Sequence, residues 1–227
     1  VPGEIFPQRN NTRDVVVTVR SEKIRILFVD WKPRWESRFA LNIFRRLAYV
    51  DVNDIIVIVS GDGKLQRGAV KGTWPQDDAT MQLYDMVVLG ALPADVFTAG
   101  EWDSLRRLIT ENGTTLLLLQ SSPAAVEALD IDAVAVNAAS SAVTDLSSMC
   151  VTRTGASHPL TRAIGALLPR NPDATIPDAN STLQPLLLAA PGRSPVVSIQ
   201  YTGNGKIASL QTGRFWKRFN PAAIAAH

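Results

Sequence analysis

The sequence predicts an α/β fold, with a mostly parallel sheet flanked by helices, on three observations. Apolar-rich segments at 26–29, 55–59, 84–90 and 114–119 read as strands, and the continuous run at 26–29 has the pattern of a strand buried on both faces. Helical periodicities alternate with them: Trp35, Phe39, Ile43 and Leu47 recur every four residues, and Trp102, Leu105, Leu108 and Ile109 form a second stripe. Most links between these segments are short, and such alternation builds parallel neighbours joined by helices that cross a face of the sheet.

Taken in order, residues 1–12 carry Pro2, Gly3, Pro7 and Asn10-Asn11, all turn signals, and 14–20 reads as a short valine-rich strand. Residues 1–20 are therefore expected to be an added edge strand or the tail of a preceding β-domain, with the α/β domain over 21–221. The first buried strand ends at Asp30, and the four-residue spacing starts a helix at Trp35. That register predicts Trp35 against the sheet, with Arg34 or Arg38 paired to Glu36 or Asp30. After the strand at 55–59, the glycines from Gly61 onward and Pro75 predict a long loop to about residue 82.

Thr98 and Glu101 have capping-box spacing ahead of the second helix, and Gly113 is a plausible stop after it. A short helix at 124–129, strands at 133–136 and 149–152, a short helix at 158–167 and a proline-rich loop at 169–180 follow. A hairpin is expected at the C-terminal end, from 196–201 and 206–211 around Thr202-Gly203-Asn204-Gly205. Residues 222–227 form a helix-prone run too short to hold its shape alone, and a frayed end is expected there.

Composition narrows the function. The 227 residues are 46% hydrophobic and 19% charged, values of a folded domain rather than a disordered chain. A formal net charge of +2 and scattered basic doublets give no phosphate-tracking stripe, so no nucleic-acid partner is expected. No apolar stretch approaches the roughly 18–20 residues that cross a bilayer, so this segment is not expected to insert directly. A single cysteine, Cys150, excludes an intramolecular disulfide and a cysteine-based zinc cluster. No metal and no cofactor are expected: the internal histidine lacks acidic neighbours at ligand spacing, and Gly61-Asp62-Gly63 lacks the spacing of a phosphate-binding loop.

Ligands of open α/β sheets bind beyond the carboxyl ends of the strands, where the first strand-to-helix loop lies. Asp30, Lys32, Arg34, Trp35, Glu36 and Arg38 are accordingly the candidate residues for binding a ligand or partner; the alternative is a solvated, mutually paired rim. For acyl transfer the weak candidates are Ser121 or Ser122 as nucleophile and His158 as base. The turn Gln120-Ser121-Ser122-Pro123 lacks the flanking glycines that permit a tight nucleophile elbow. His158 precedes a proline, a setting that suits a turn-bonded side chain, and Cys150 lies in an apolar run typical of a structural thiol.

Four stretches together carry a family resemblance: Pro33-Arg34-Trp35-Glu36 with Arg38 and Phe39, the strand 84–90, Gly155 to Arg162 with His158-Pro159-Leu160, and 203–211 followed by Trp216. The chain resembles the glutamine-amidotransferase-like domain of large bacterial membrane proteins, which often also carry von Willebrand factor type A or β-sandwich domains. The resemblance covers about residues 4–219. It implies a flavodoxin-like class I amidotransferase fold and, at the nucleophile position, a departure, since no cysteine stands at the turn 120–123. It further implies a non-catalytic binding or structural module, a domain cut from a longer polypeptide and tethered to the bacterial inner membrane through segments outside this chain. Its partners would be other domains of that polypeptide, a separate protein or a second copy of the chain. The alternatives are a serine-dependent hydrolase or amidotransferase and a small-ligand sensory domain.

Overall fold

The computed structural model describes residues 22–31, 34–59, 65–66, 75, 77–93, 95–120, 123–131, 149–161, 183–189 and 194–211. The strands expected at 14–20 and 133–136, the loop at 169–180 and both chain ends lie outside these residues.

In chain order the elements are β1 (Ile24–Trp31), α1 (Trp35–Arg46), β2 (Val50–Val59), β3 (Leu65–Gln66), α2 (Asp78–Met81), β4 (Met86–Leu89), α3 (Ala99–Thr110), β5 (Thr115–Leu119), α4 (Pro123–Ala128), β6 (Met149–Val151), α5 (Arg153–Ser157), β7 (Leu183–Ala189), β8 (Ser194–Thr202) and β9 (Gly205–Leu210). The nine strands form one sheet in the order β3-β2-β1-β4-β5-β9-β8-β7-β6. The run from β2 through β1, β4 and β5 to β9 is parallel. Pairings of β3 with β2, of β8 with β9 and β7, and of β7 with β6 are antiparallel.

The sheet is therefore mixed, a correction to the expected mostly parallel one. Its cause lies after residue 182, where strands follow one another without a crossover helix and add as a meander. The segment at 183–189 escapes a periodicity reading because Pro185 cannot donate to a ladder; the structure accommodates it where the β7–β8 register shifts. Within 60–82, β3 and α2 interrupt the expected loop. A short helix precedes His158: Thr152 Oγ1 accepts from the Gly155 amide at 2.9 Å and starts α5 there. Of the helix expected at 158–167, residues 158–161 form a bend and turn, and the rest lies outside the described residues.

The predicted hairpin forms, and its turn does more than reverse the chain. Asn204 N donates to Thr110 O at 2.7 Å, and Asn204 Nδ2 to Glu111 O at 2.8 Å, so the turn satisfies carbonyls at the end of α3. Gly203 has φ +57°, and a Cβ there would sit 2.3 Å from Thr110 O. This docking sets β9 parallel beside β5, with Leu117 opposite Ala208. At the other end of α3 the capping box is present: Thr98 N donates to Glu101 Oε2 at 2.8 Å and Glu101 N to Thr98 Oγ1 at 3.3 Å.

Two apolar layers hold the sheet. On one face Leu27, Val29, Ile55, Val87 and Leu116 pack with Trp102, Leu105, Leu108 and Ile109 of α3. On the other, Ile26, Phe28, Val88 and Leu119 meet Leu41 of α1, with Ala40 and Phe44 half-buried beside it. Here the structure corrects the helix register. Ser37 and Leu41 form the buried side of α1, whereas Trp35 is 63% exposed, Phe39 42% and Ile43 46%. The four-residue stripe faces outward because Leu41, with Ala40 and Phe44, already supplies an inward apolar side, and a helix apolar on two sides can bury only one against the sheet. Trp35→Ala is accordingly expected to change stability by no more than about 1 kcal/mol, the scale of its surface stacking with Arg38. A urea unfolding midpoint measured on the variant checks this; a loss of several kcal/mol would place Trp35 in the core.

Candidate functional site

Strand order reverses at β1: the chain moves from β1 to β2 on one side and, through β4, to β5 on the other. The carboxyl ends of β1, β4 and β5 converge at this switch point, where open α/β sheets bind ligands. Asp30, next to last in β1, is wholly buried. Arg34, the N-cap residue of α1, turns back over it, with Nε donating to Asp30 Oδ2 at 3.1 Å and Nη2 to Asp30 Oδ1 at 2.9 Å. This is the bidentate fork that suits guanidinium to carboxylate. Arg34 Nη1 donates to Gln120 Oε1 at 2.6 Å, which ties the end of β5 to the start of α1. The Trp31 amide donates to Asp30 Oδ1 at 2.7 Å.

Gly90, just past β4, makes room for the cluster. A Cβ on it would lie 1.8 Å from Asp30 Oδ1 and 2.8 Å from Arg34 Nη2. Burial pushes the Asp30 carboxyl above its ordinary value of 3.8, against the opposing pull of the Arg34 guanidinium and the Trp31 amide. Gln120 carries a second feature: its φ is +61° at the strand-to-helix turn before α4, a left-handed conformation uncommon for a residue with a side chain. The Gln120 amide nitrogen donates to Leu210 O at 3.0 Å, so the turn is anchored to β9.

Of the residues the sequence singles out for binding, Asp30 and Arg34 meet in this cluster, as the expected pairing of the two requires. Arg38 instead lies over the ring of Trp35, 5.5 Å from its centroid, and both face outward on α1. Glu36 is half-buried on the same helix. Lys32, Ser121 and Ser122 lie outside the described residues.

His158 caps the C-terminal end of α5, and its Nδ1 accepts from the Leu160 amide at 3.2 Å, a turn-bonded arrangement. Thr152 and Gly155 seat that helix on Pro185 and Leu186 of β7, which lies three strand positions from β5, roughly 14 Å across the sheet. Cys150 is half-buried in β6, opposite Leu188.

Sequence reading did not select Gln120 and Gly90 as site residues. A polar residue directly after four consecutive leucines and a glycine directly after β4 were the available signals, and their meaning depends on which strand ends are neighbours. Among the described residues no three His, Cys, Asp or Glu side chains come together as a metal site, and no helix is long and apolar enough to cross a membrane.

The fold and cluster together define an α/β domain with a mixed sheet and a hydrogen-bonded polar cluster at its switch point. No protein-family model and no curated protein matches the chain. Among solved structures, a PLP-bound protein assigned as an aminotransferase, from Clostridium difficile 630, aligns with 44% of this chain and 24% of its own length, at 9% identity and a TM-score of 0.26. A likeness of that size carries no inference about fold or activity.

Proposed function

We propose that this chain is a non-catalytic, glutamine-amidotransferase-like module that binds a partner within a larger, membrane-anchored bacterial protein. The family and the membrane setting rest on the resemblance carried by Pro33-Arg34-Trp35-Glu36 and the three other stretches. The absence of chemistry rests on one observation: the described polar side chains at the switch point are engaged with one another. Asp30 uses both carboxylate oxygens on Arg34, all three guanidinium nitrogens of Arg34 point at Asp30 or Gln120, and Gly90 closes against the carboxylate.

A nucleophile at such a turn needs an open face and a base within hydrogen-bond reach. Here Gln120 occupies the left-handed position of the turn with its side chain engaged, and His158 belongs to a helix seated three strands away. The left-handed turn is also the one feature that favours the alternative, a serine-dependent hydrolase or amidotransferase, because nucleophile elbows use that conformation.

Assays on the full chain with glutamine and with a p-nitrophenyl ester separate the two. The expected result is turnover indistinguishable from background. Turnover that vanished in Ser121→Ala or Ser122→Ala would overturn the non-catalytic reading.

A further inference from the structure

We propose that the outward side of α1 is a docking surface for an acidic amphipathic segment of a partner chain. This deepens the binding-module reading by naming the kind of partner, and it rests on that reading. Two parallel stripes on one helix carry it. The first is apolar: Trp35, Phe39 and Ile43, at i, i+4 and i+8, stand 63%, 42% and 46% exposed on the side away from Ser37 and Leu41. Three large apolar side chains aligned over two helical turns are a patch, not the scattered exposure common on protein surfaces.

The second stripe is made of donors. Arg38, Asn42 and Arg45, at i, i+4 and i+7, line a groove of about 450 Å³ floored by Leu41 and Ile56, and no carboxylate lines it. Arg45 spends one guanidinium nitrogen on Asp54 at 2.6 Å, whereas Arg38 has no carboxylate within ion-pair distance among the described residues. Ser37 Oγ, buried in the same wall, has no hydrogen-bond partner there. Residues 34–46 hold four arginines against one glutamate.

The partner's chemistry follows from the pair of stripes. Its apolar side chains would cover Trp35, Phe39 and Ile43, and carboxylates two turns apart would reach Arg38 and Arg45 in the groove, the arrangement of an amphipathic helix laid against another. A lipid surface would meet the apolar stripe but leave the concave donor groove beside it unused, and a small anion would use the groove but leave the stripe uncovered.

Fluorescence anisotropy on the full chain tests this with two labelled helical peptides that share their leucine positions and differ only in carrying Glu or Lys on the flanks. The Glu peptide is expected to bind, more tightly at low salt, and the Lys peptide to fail. Phe39→Asp and Arg38→Glu should each weaken binding at least about tenfold, with an unchanged circular dichroism spectrum because both positions are exposed.

Equal binding of the two peptides, or unchanged affinity in Phe39→Asp, would overturn the proposal. So would a dimer of the chain alone that Phe39→Asp dissolves, binding to phosphatidylserine vesicles without peptide binding, or binding of free acetate or phosphate in the groove without peptide binding. Ester and glutamine turnover on the same preparation reports on the non-catalytic reading separately, so either can fail while the other stands.

Discussion

Arg34→Met is expected to cost about 3–5 kcal/mol of stability at pH 7, because it leaves the Asp30 carboxylate buried with no cation. The pH dependence gives the effect its signature. In the native chain burial already holds Asp30 above 3.8, so between that value and the raised one the folded state binds more protons than the unfolded state. Stability contributed by this group is thus fully present below the ordinary value and is lost as pH rises through the folded one, the reverse of a carboxylate held in an exposed ion pair.

Removing Arg34 deletes the two guanidinium contributions that pull the Asp30 value down and leaves desolvation, the largest cause, and the nearby Glu36 charge to push it up against the Trp31 amide alone. The window therefore extends upward, and the variant should regain part of its lost stability as pH falls from 7 toward the ordinary carboxylate value and Asp30 takes up a proton. Urea unfolding midpoints at several pH values measure this. A loss that stayed constant across the range would mean that Asp30 is not carrying an unpaired charge in the variant.

Gly90→Ala comes next in size, at about 3 kcal/mol, the upper end of what overpacking costs in a well-filled site. The reason is what the new methyl group meets. Its position lies 1.8 Å from one carboxylate oxygen of Asp30 and 2.1 Å from the carboxylate carbon, so the carboxylate has to move away from Arg34. Gly90→Ala and Arg34→Met act on the same ion pair, and the double variant should lose less than the two single losses added together. Strict additivity in unfolding experiments would show that the methyl group is accommodated without disturbing the Asp30–Arg34 fork.

Local chemistry made much of the framework legible before any fold was known. The apolar runs that became β1, β4 and β5 are one-dimensional signals, as are the Thr98–Glu101 capping box and the glycine-rich turn before Gly205, because their causes lie within a few residues. The pairing of Arg34 with Asp30 is also local, four residues apart across a strand end.

What sequence could not supply is anything that depends on which segments become neighbours. Periodicity places Trp35, Phe39 and Ile43 on one side of α1, but which side faces the sheet was decided by Leu41 meeting Ile26 and Phe28, and it turned the stripe outward. A mostly parallel sheet with one antiparallel hairpin at its C-terminal end was expected, yet β3, β6 and β7 also pair antiparallel, so that half of the sheet's pairings are antiparallel.

The switch-point cluster is the clearest case. Asp30, Gly90 and Gln120 are 60 and 30 residues apart along the chain. They meet only because β4 lies between β1 and β5, so a buried carboxylate, the space left by a missing side chain and an amide held in a left-handed turn become one site through strand order alone. Residue type determines what each group can donate, accept or leave empty. Tertiary structure decides which groups meet, because long-range pairing in a sheet is set by the burial of whole faces rather than by any local spacing.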